Sequence, residues 1–279
     1  MSHRLLLWRR LKNQVFFTLL VFMSLIALFP LFNILWYVIS RGLPELSIRF
    51  FTRLPGPVGM VGGMANAIVG TLIVVSLACL IAIPIGVGAG IYMAEYADDR
   101  FAAVCRFLAD VLSGVPSIVA GLMVYATVVI WMHSYSAFAG ALSLALLMLP
   151  TLMRTTEQML LMVDTSLREG AFALGATRFQ TTVQVVLPTA ASGLITAVML
   201  SIGRVMGETA PLLFTAFGNS FWQDGLNAPI AALPLQVFVY ATSPYPQWQA
   251  QAWTGALTLL AIILVINIAA RAFGRGKLR

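Results

Sequence analysis

The chain has 279 residues, of which 60% are hydrophobic and only 10% charged, and its mean hydropathy is +0.91. A water-soluble domain carries roughly 25% charged residues, so this composition excludes one and describes an all-α polytopic membrane protein with no soluble domain appended. The formal net charge of +7 is in such a chain a topology signal, and the scatter of basic residues to the ends of apolar stretches speaks against nucleic acid as a partner.

His3, Arg4, Arg9, Arg10 and Lys12 precede a first apolar span over 14–39. That run is too long for the apolar core of a cleavable signal peptide and has no small-residue cleavage site. A loop rich in Pro and aromatic residues follows, and a second span covers 64–93, interrupted by Pro84, Gly86, Gly88 and Gly90. The glycines are spaced by two, which is not a helix-dimer face and reads as close packing or a local break. Glu95, Asp98, Asp99, Arg100 and Arg106 mark an aqueous loop. A third span covers 108–132 with Gly114-Val115-Pro116-Ser117 near its start, and after the polar gap around His133 a fourth covers 137–153. A fifth covers 183–206. The runs 210–217 and 229–241 are too short to cross about 30 Å of hydrocarbon and are expected to be re-entrant or surface helices. A sixth span over 252–270 leads into Arg271, Arg275, Lys277 and Arg279.

Six spans put both termini on one side. Most of the seventeen basic residues fall in the terminal tails, the Asp98 loop and the segment after span four. Only Arg41, Arg49 and Arg53 fall on the other side, and Arg204 is left in or near the membrane. An excess of Lys and Arg marks the cytoplasmic side, so both termini are expected there. The domain division is a tail over 1–13, one transmembrane domain over 14–270 with a polar elbow at 166–188, and a tail over 271–279.

The elbow SLREGAFALGATRFQTTVQVVLP carries its own helix punctuation. Ser166 with Glu169, and Thr177 with Gln180, each have the spacing of a capping box, and Gly175 between them suits a left-handed helix stop. The elbow therefore reads as short helix, glycine turn, new helix. No G-x-x-x-x-G-K-[ST] phosphate loop exists in the chain, so nucleotide hydrolysis is assigned elsewhere. There is no metal-ligand cluster, no nucleophile–base pair and no call for a cofactor. Cys79 and Cys105 give no disulfide framework.

The elbow resembles the EAA loop of bacterial ABC-importer permease subunits, with pattern E-A-A-x-x-x-G-(x)9-I-x-L-P. Glu169-Gly170-Ala171, Gly175 and Val185-Val186-Leu187-Pro188 fall at that spacing. Gly170 departs from the usual alanine and weakens the short helix by about 1 kcal/mol; valine stands for isoleucine. The runs over 62–96, 113–125 (SGVPSIVAGLMVY), 149–156, 204–213 (RVMGETAPLL) and 229–245 look like the phosphate-transport permease family of the PstA type. What the resemblance implies is a MetI-like ABC-importer bundle in the inner membrane with a cytoplasmic coupling helix. Glu169, Gly170, Ala171, Phe172 and Gly175 would dock that helix on an ATPase. The implied partners are a second related permease in a heterodimer, two cytoplasmic ATPase subunits, an extracytoplasmic phosphate-binding protein and inorganic phosphate.

For the path the candidates are Arg204, Glu208 and Ser117. Arg204 and Glu208, four apart, share a face if the helix continues, and Arg204 lies about 30 Å along a straight helix from Val183, toward the outer mouth. Charged residues inside spans usually face the bundle interior or a water cavity. The two read equally as an anion-receiving pair, with Glu208 holding the arginine, or as a structural ion pair. Ser117 reads as path lining or as part of a helix-shaping Gly-Val-Pro-Ser turn. Competing functions are a permease for molybdate or sulfate, an ion-driven transporter, and a membrane scaffold or sensor.

Overall fold

The computed structural model describes residues 3–276 apart from 59, 61, 97 and 98, and the side chains of 3–7, 271 and 273–276 lie outside that description. The side chains of His3, Arg4, Arg271 and Arg275 and the whole of Asp98, Lys277 and Arg279, all counted above, therefore lie outside the description. Five helices are long and apolar enough to cross a membrane, or six if one bent pair is a single span.

Helix α1 (His3–Gly42) is the least attached. None of the most apolar window within Trp8–Gly42 is buried. It meets the bundle at its end, where Tyr37 stacks on Trp253 and Gly42 lies so close that an added Cβ would come 2.8 Å from the Trp253 carbonyl oxygen. A short α2 (Ile48–Thr52) leads to α3 (Ala65–Glu95). Neither Pro84 nor the glycines break α3. Two of the three glycines serve close packing instead: a Cβ on Gly86 would lie 2.7 Å from the Leu152 Cβ, and one on Gly90 2.5 Å from the Thr156 Cβ. Gly88 meets nothing within 4 Å.

The expected third span is not one rod. Helix α4 (Arg100–Ser113) and helix α5 (Ser117–Met132) are bent by 106° across Gly114–Pro116. Proline disfavours helical geometry in the residue before it, and Val115 duly leaves the helix. The charges read as an aqueous loop are partly helical: Glu95 ends α3, and Arg106 sits on α4. Helix α6 (Ala137–Leu161) also exceeds the expected fourth span and carries Arg154 and Glu157 on its last turns. It is the central helix, with 67% of its apolar window buried against 33% or less elsewhere. The main core joins Val74, Ala78 and Ala82 of α3 to Ala141, Ala145 and Met148 of α6. Small residues let such helices approach closely where lipid gives no hydrophobic drive.

Helix α7 (Thr165–Ala173) follows, then α8 (Arg178–Met206), which starts before the expected Val183 and holds a π turn at Thr182–Val186. The two short apolar runs form α9 (Ala210–Thr215) and α10 (Leu233–Ala241). Both are inserted into the bundle, with Pro211, Leu212, Leu233 and Leu235 buried. Their linker is tied down by Asn66, which donates to the Asn219 carbonyl at 2.6 Å, and by Thr71, whose hydroxyl accepts from the Leu233 N–H at 2.7 Å. Helix α11 (Pro246–Gly276) closes the chain.

Candidate functional site

The elbow has the expected outline and a different first cap. Asp164, not Ser166, caps α7: its carboxylate accepts from the Ser166 N–H at 2.9 Å. The Ser166–Glu169 box is not formed because the helix begins at Thr165, two residues before the Leu167 start that a Ser166 cap would give. The Ser166 N–H holds the Asp164 carboxyl below its ordinary range. With the folded value depressed, this contribution is complete at neutral pH and is lost as pH falls through that lowered value. The second box is formed. Gln180 N–H donates to Thr177 Oγ1 at 3.3 Å, and Thr177 N–H donates to Gln180 Oε1 at 2.8 Å. Between them Gly175 has φ +84°. Gly175 N–H donates to Phe172 O at 2.9 Å and Ala176 N–H to Ala171 O at 3.1 Å, the two bonds of a Schellman stop.

No residue of α7 is buried within the chain. Leu167, Phe172, Leu174 and Phe179 stand out from the elbow, with Leu174 91% exposed. Glu169 and Gly170 are exposed, and Ala171 is half-buried. An added Cβ at Gly170 meets nothing within 4 Å. Gly170→Ala is therefore expected to stabilise α7 by about 1 kcal/mol, measurable as slower amide hydrogen exchange over 165–173 with no loss of transport. Two arginines tie the elbow back to the bundle. Arg168 Nη1 meets Glu95 Oε1 at 2.5 Å while its Nη2 donates to Leu160 O at 2.8 Å. The Arg178 guanidinium lies 5.2 Å over the Tyr96 ring.

Arg204 and Glu208 are not brought together. Helix α8 stops at Met206, with Gly207 N–H bonded to Arg204 O, so Glu208 leaves the helical track and no ion pair joins the two among the described residues. Arg204 instead donates from Nη1 to Thr151 Oγ1 at 3.3 Å. Thr151 lies about 20 Å of helix rise from the start of α6 and about 15 Å from its end, so Arg204 faces the mid-length of α6 rather than the far mouth. Helical side chains lean toward the helix N-terminus, which a position counted on Cα atoms alone misses. Arg204 is exposed and has no carboxylate partner among the described residues, leaving most of its five donors available.

Ser117 opens α5 and is half-buried. It shares a face with Gly121, four residues on. A Cβ at Gly121 would lie 2.6 Å from Pro211 Cα. The SGVPSIVAGL and GETAPL runs thus pack directly together, and Ser117 lies on the face of α5 that meets α9.

Sequence reasoning missed a charged column one turn from Arg204. Arg154 is chelated by Asp110, with Nε donating to Oδ1 at 2.9 Å and Nη2 to Oδ2. Its Nη1 meets Glu157 Oε2 at 3.0 Å, and Arg106 Nε meets Glu157 Oε1 at 2.5 Å. Arg106 also donates to Met93 O. Glu157 is 5% exposed; removing one partner of such a buried pair costs about 3–5 kcal/mol. Thr151, Arg154 and Glu157 recur every third residue, as do Arg106 and Asp110 every fourth, so each set shares a helix face. That spacing was legible once both segments were taken as helix; a loop assignment hid it.

A family model described as binding-protein-dependent transport system inner membrane component matches residues 86–279. The phosphate transport system permease protein PstA of Yersinia pestis is 44% identical over 266 residues, covering 95% of this chain and 90% of the relative. The protein of the same description from Haemophilus influenzae is 43% identical over 271 residues, covering 97% and 96%. In fold the chain is similar to the inward-facing MetNI methionine ABC transporter, with TM-score 0.64 at 18% identity, covering 77% of this chain and 98% of that one. It is also similar to a bacterial alginate ABC importer, with TM-score 0.62 at 13% identity, covering 98% and 99%.

Proposed function

The chain belongs to the family of binding-protein-dependent transport system inner membrane components, and within it to the PstA-type phosphate permeases, and we propose that it is the multi-pass subunit through which an ATP-driven importer takes up inorganic phosphate. The observation that carries the reading at the level of this chain is the elbow. A short helix that puts no apolar side chain into the core and presents Phe172 and, at its C-cap, Leu174 to solvent leaves an apolar face that only another subunit would cover. The chain supplies no phosphate loop, so the covering subunit is the ATPase, and this chain does no chemistry of its own. Glu169, Gly170, Ala171, Phe172 and Gly175 form the docking helix and its stop. The basic bias of the elbow and tails puts both termini and the elbow in the cytoplasm. A second, related permease completes the path, two ATPase subunits drive it, and a phosphate-binding protein delivers at the opposite end.

In the path, Arg204 receives the anion. A guanidinium presents two parallel N–H donors to a phosphate edge, and Arg204 gives only one bond to Thr151. Ser117, on the face of α5 that meets α9, is the second residue assigned to the route. Glu208 does not hold Arg204 in this arrangement of the helices. Alternation of the bundle then exposes the arginine to one side and the other by rigid-body movement.

The test is uptake of labelled phosphate into proteoliposomes carrying this chain with its partner permease, ATPase and binding protein. ATP-dependent uptake that excess unlabelled phosphate suppresses, and that molybdate and sulfate leave unchanged, is expected. Suppression by molybdate or sulfate instead would move the substrate to another oxyanion. Uptake without the ATPase would replace the reading with an ion-driven transporter.

A further inference from the structure

Helix α7 hangs on the bundle by few groups. It buries none of its residues, and its two chain connections are the bend at Asp164 and the left-handed turn at Gly175. A load applied to its exposed face would bend those two joints unless something else held the helix. Arg168 is that something. Its guanidinium bridges two different helix ends, meeting Glu95 Oε1 of α3 at 2.5 Å and Leu160 O of α6 at 2.8 Å. The pair is enclosed, with side-chain exposure of 17% for Arg168 and 6% for Glu95. In so little water an unpaired carboxylate is strongly disfavoured, so the contact is held firmly.

What Arg168 grips is a stiff object. α3 and α6 are locked by Gly86 on Leu152 and Gly90 on Thr156, and close-packed helices shift as bodies. Ala94, Leu160, Val163, Val186 and Ala190 form one apolar cluster where α3, α6 and α8 converge on the elbow. Glu95 is far from Arg168 in sequence, so α3 would otherwise receive elbow motion only through packing and through the Arg178–Tyr96 contact at the start of α8.

We propose that the Glu95–Arg168 ion pair is a transmission link that makes the end of α3 follow the elbow, so that ATPase movement reaches the α3–α6 pair directly. This inference rests on the reading of the elbow as the ATPase-docking element. Arg168 and Glu95 are positioning residues that act through the helices they join.

The experiment measures phosphate uptake and ATP hydrolysis in the same proteoliposomes, with the whole complex reconstituted. Arg168→Met and Glu95→Gln are each expected to retain the ATPase on co-purification and to lower phosphate taken up per ATP hydrolysed about tenfold, within the 5–150-fold range of a coupling free energy. The exchange variant Glu95→Arg with Arg168→Glu is expected to recover most of the ratio, which a role in packing alone would not produce. Leu174→Asp, which charges the exposed face without touching the pair, should release the ATPase. If the single variants keep the wild-type ratio while Leu174→Asp releases the ATPase, the link is wrong and the docking reading stands. If Leu174→Asp binds ATPase and transports normally, the docking reading itself falls. Loss of the ATPase from either single variant would make the pair a structural brace and overturn the link.

Discussion

Arg204→Ala is expected to lower phosphate uptake by more than 100-fold while the complex still assembles. The size follows from what the guanidinium gives an anion. A hydrogen bond to a charged group contributes about 1.5–3 kcal/mol, and a forked pair supplies two of them, so its loss exceeds the 2.8 kcal/mol that corresponds to about 100-fold. Assembly should survive because Arg204 is exposed and makes one hydrogen bond, to Thr151, with no ion pair to strand. Arg204→Lys separates charge from geometry: an ammonium keeps the charge but not the planar fork, so intermediate uptake is expected. Thr151→Val removes only the hydroxyl that steers the side chain, and a modest loss is expected. The readouts are labelled uptake and the amount of complex recovered from membranes. Normal uptake by Arg204→Ala would remove the arginine from the path.

The neighbouring charges sharpen that test. Arg154, one turn along α6 from Thr151, is occupied on both sides by Asp110 and Glu157. Arg106 is occupied by Glu157 and the Met93 carbonyl. Of the three guanidiniums gathered along α6, Arg204 is the one with no carboxylate partner among the described residues. An anion seeking a partner meets competition at Arg154 and Arg106 and none at Arg204. The Asp110 and Glu157 pairs also tie α4 to α6 on the near side of the bend at Gly114–Pro116.

The apolar stretches were legible because composition alone decides them, and the elbow was legible because its turn chemistry is local. Thr177, Gln180 and Gly175 each act on groups within a few residues, so the chain spelling suffices. The first cap was misread for a related reason: Asp164 and Ser166 both suit the position, and the choice depends on where α6 ends, which its buried Glu157 carries past the apolar run to Leu161. The bend at Gly114–Pro116 was visible as a motif, but the ion pairs that join α4 to α6 are ones no local pattern announces. Arg204 and Glu208 show the limit most plainly. Their spacing promised a shared face, and the helix stopped between them at Gly207. Just past that stop Pro211 packs on Gly121, a contact between segments about ninety residues apart that the local spacing does not encode.

Gly175→Val is expected to uncouple ATP hydrolysis from uptake, cutting phosphate transported per ATP by about tenfold or more. Gly175 holds φ +84°, where an L-residue pays roughly 1–2 kcal/mol and a β-branched one is a genuine outlier. No neighbour lies within 4 Å of an added Cβ, so the strain is purely in the backbone and is relieved by opening the turn. Opening it breaks the Gly175–Phe172 and Ala176–Ala171 bonds and lets α7 swing relative to α8. The exposed face of Phe172 and Leu174 would remain available to bind, while the push it receives would be absorbed at the broken joint. A tenfold change corresponds to 1.36 kcal/mol, inside the strain released. Gly175→Asn is the matched control, since asparagine tolerates the left-handed region and should transport close to wild type. Glu169→Lys probes the same helix through charge and should also lower the ratio, because an acidic residue on the exposed docking face becomes basic. Uptake and hydrolysis measured together decide it: wild-type ratios in Gly175→Val would show that the turn transmits nothing, whereas an asparagine variant as impaired as the valine one would shift the cause from backbone conformation to the added side chain.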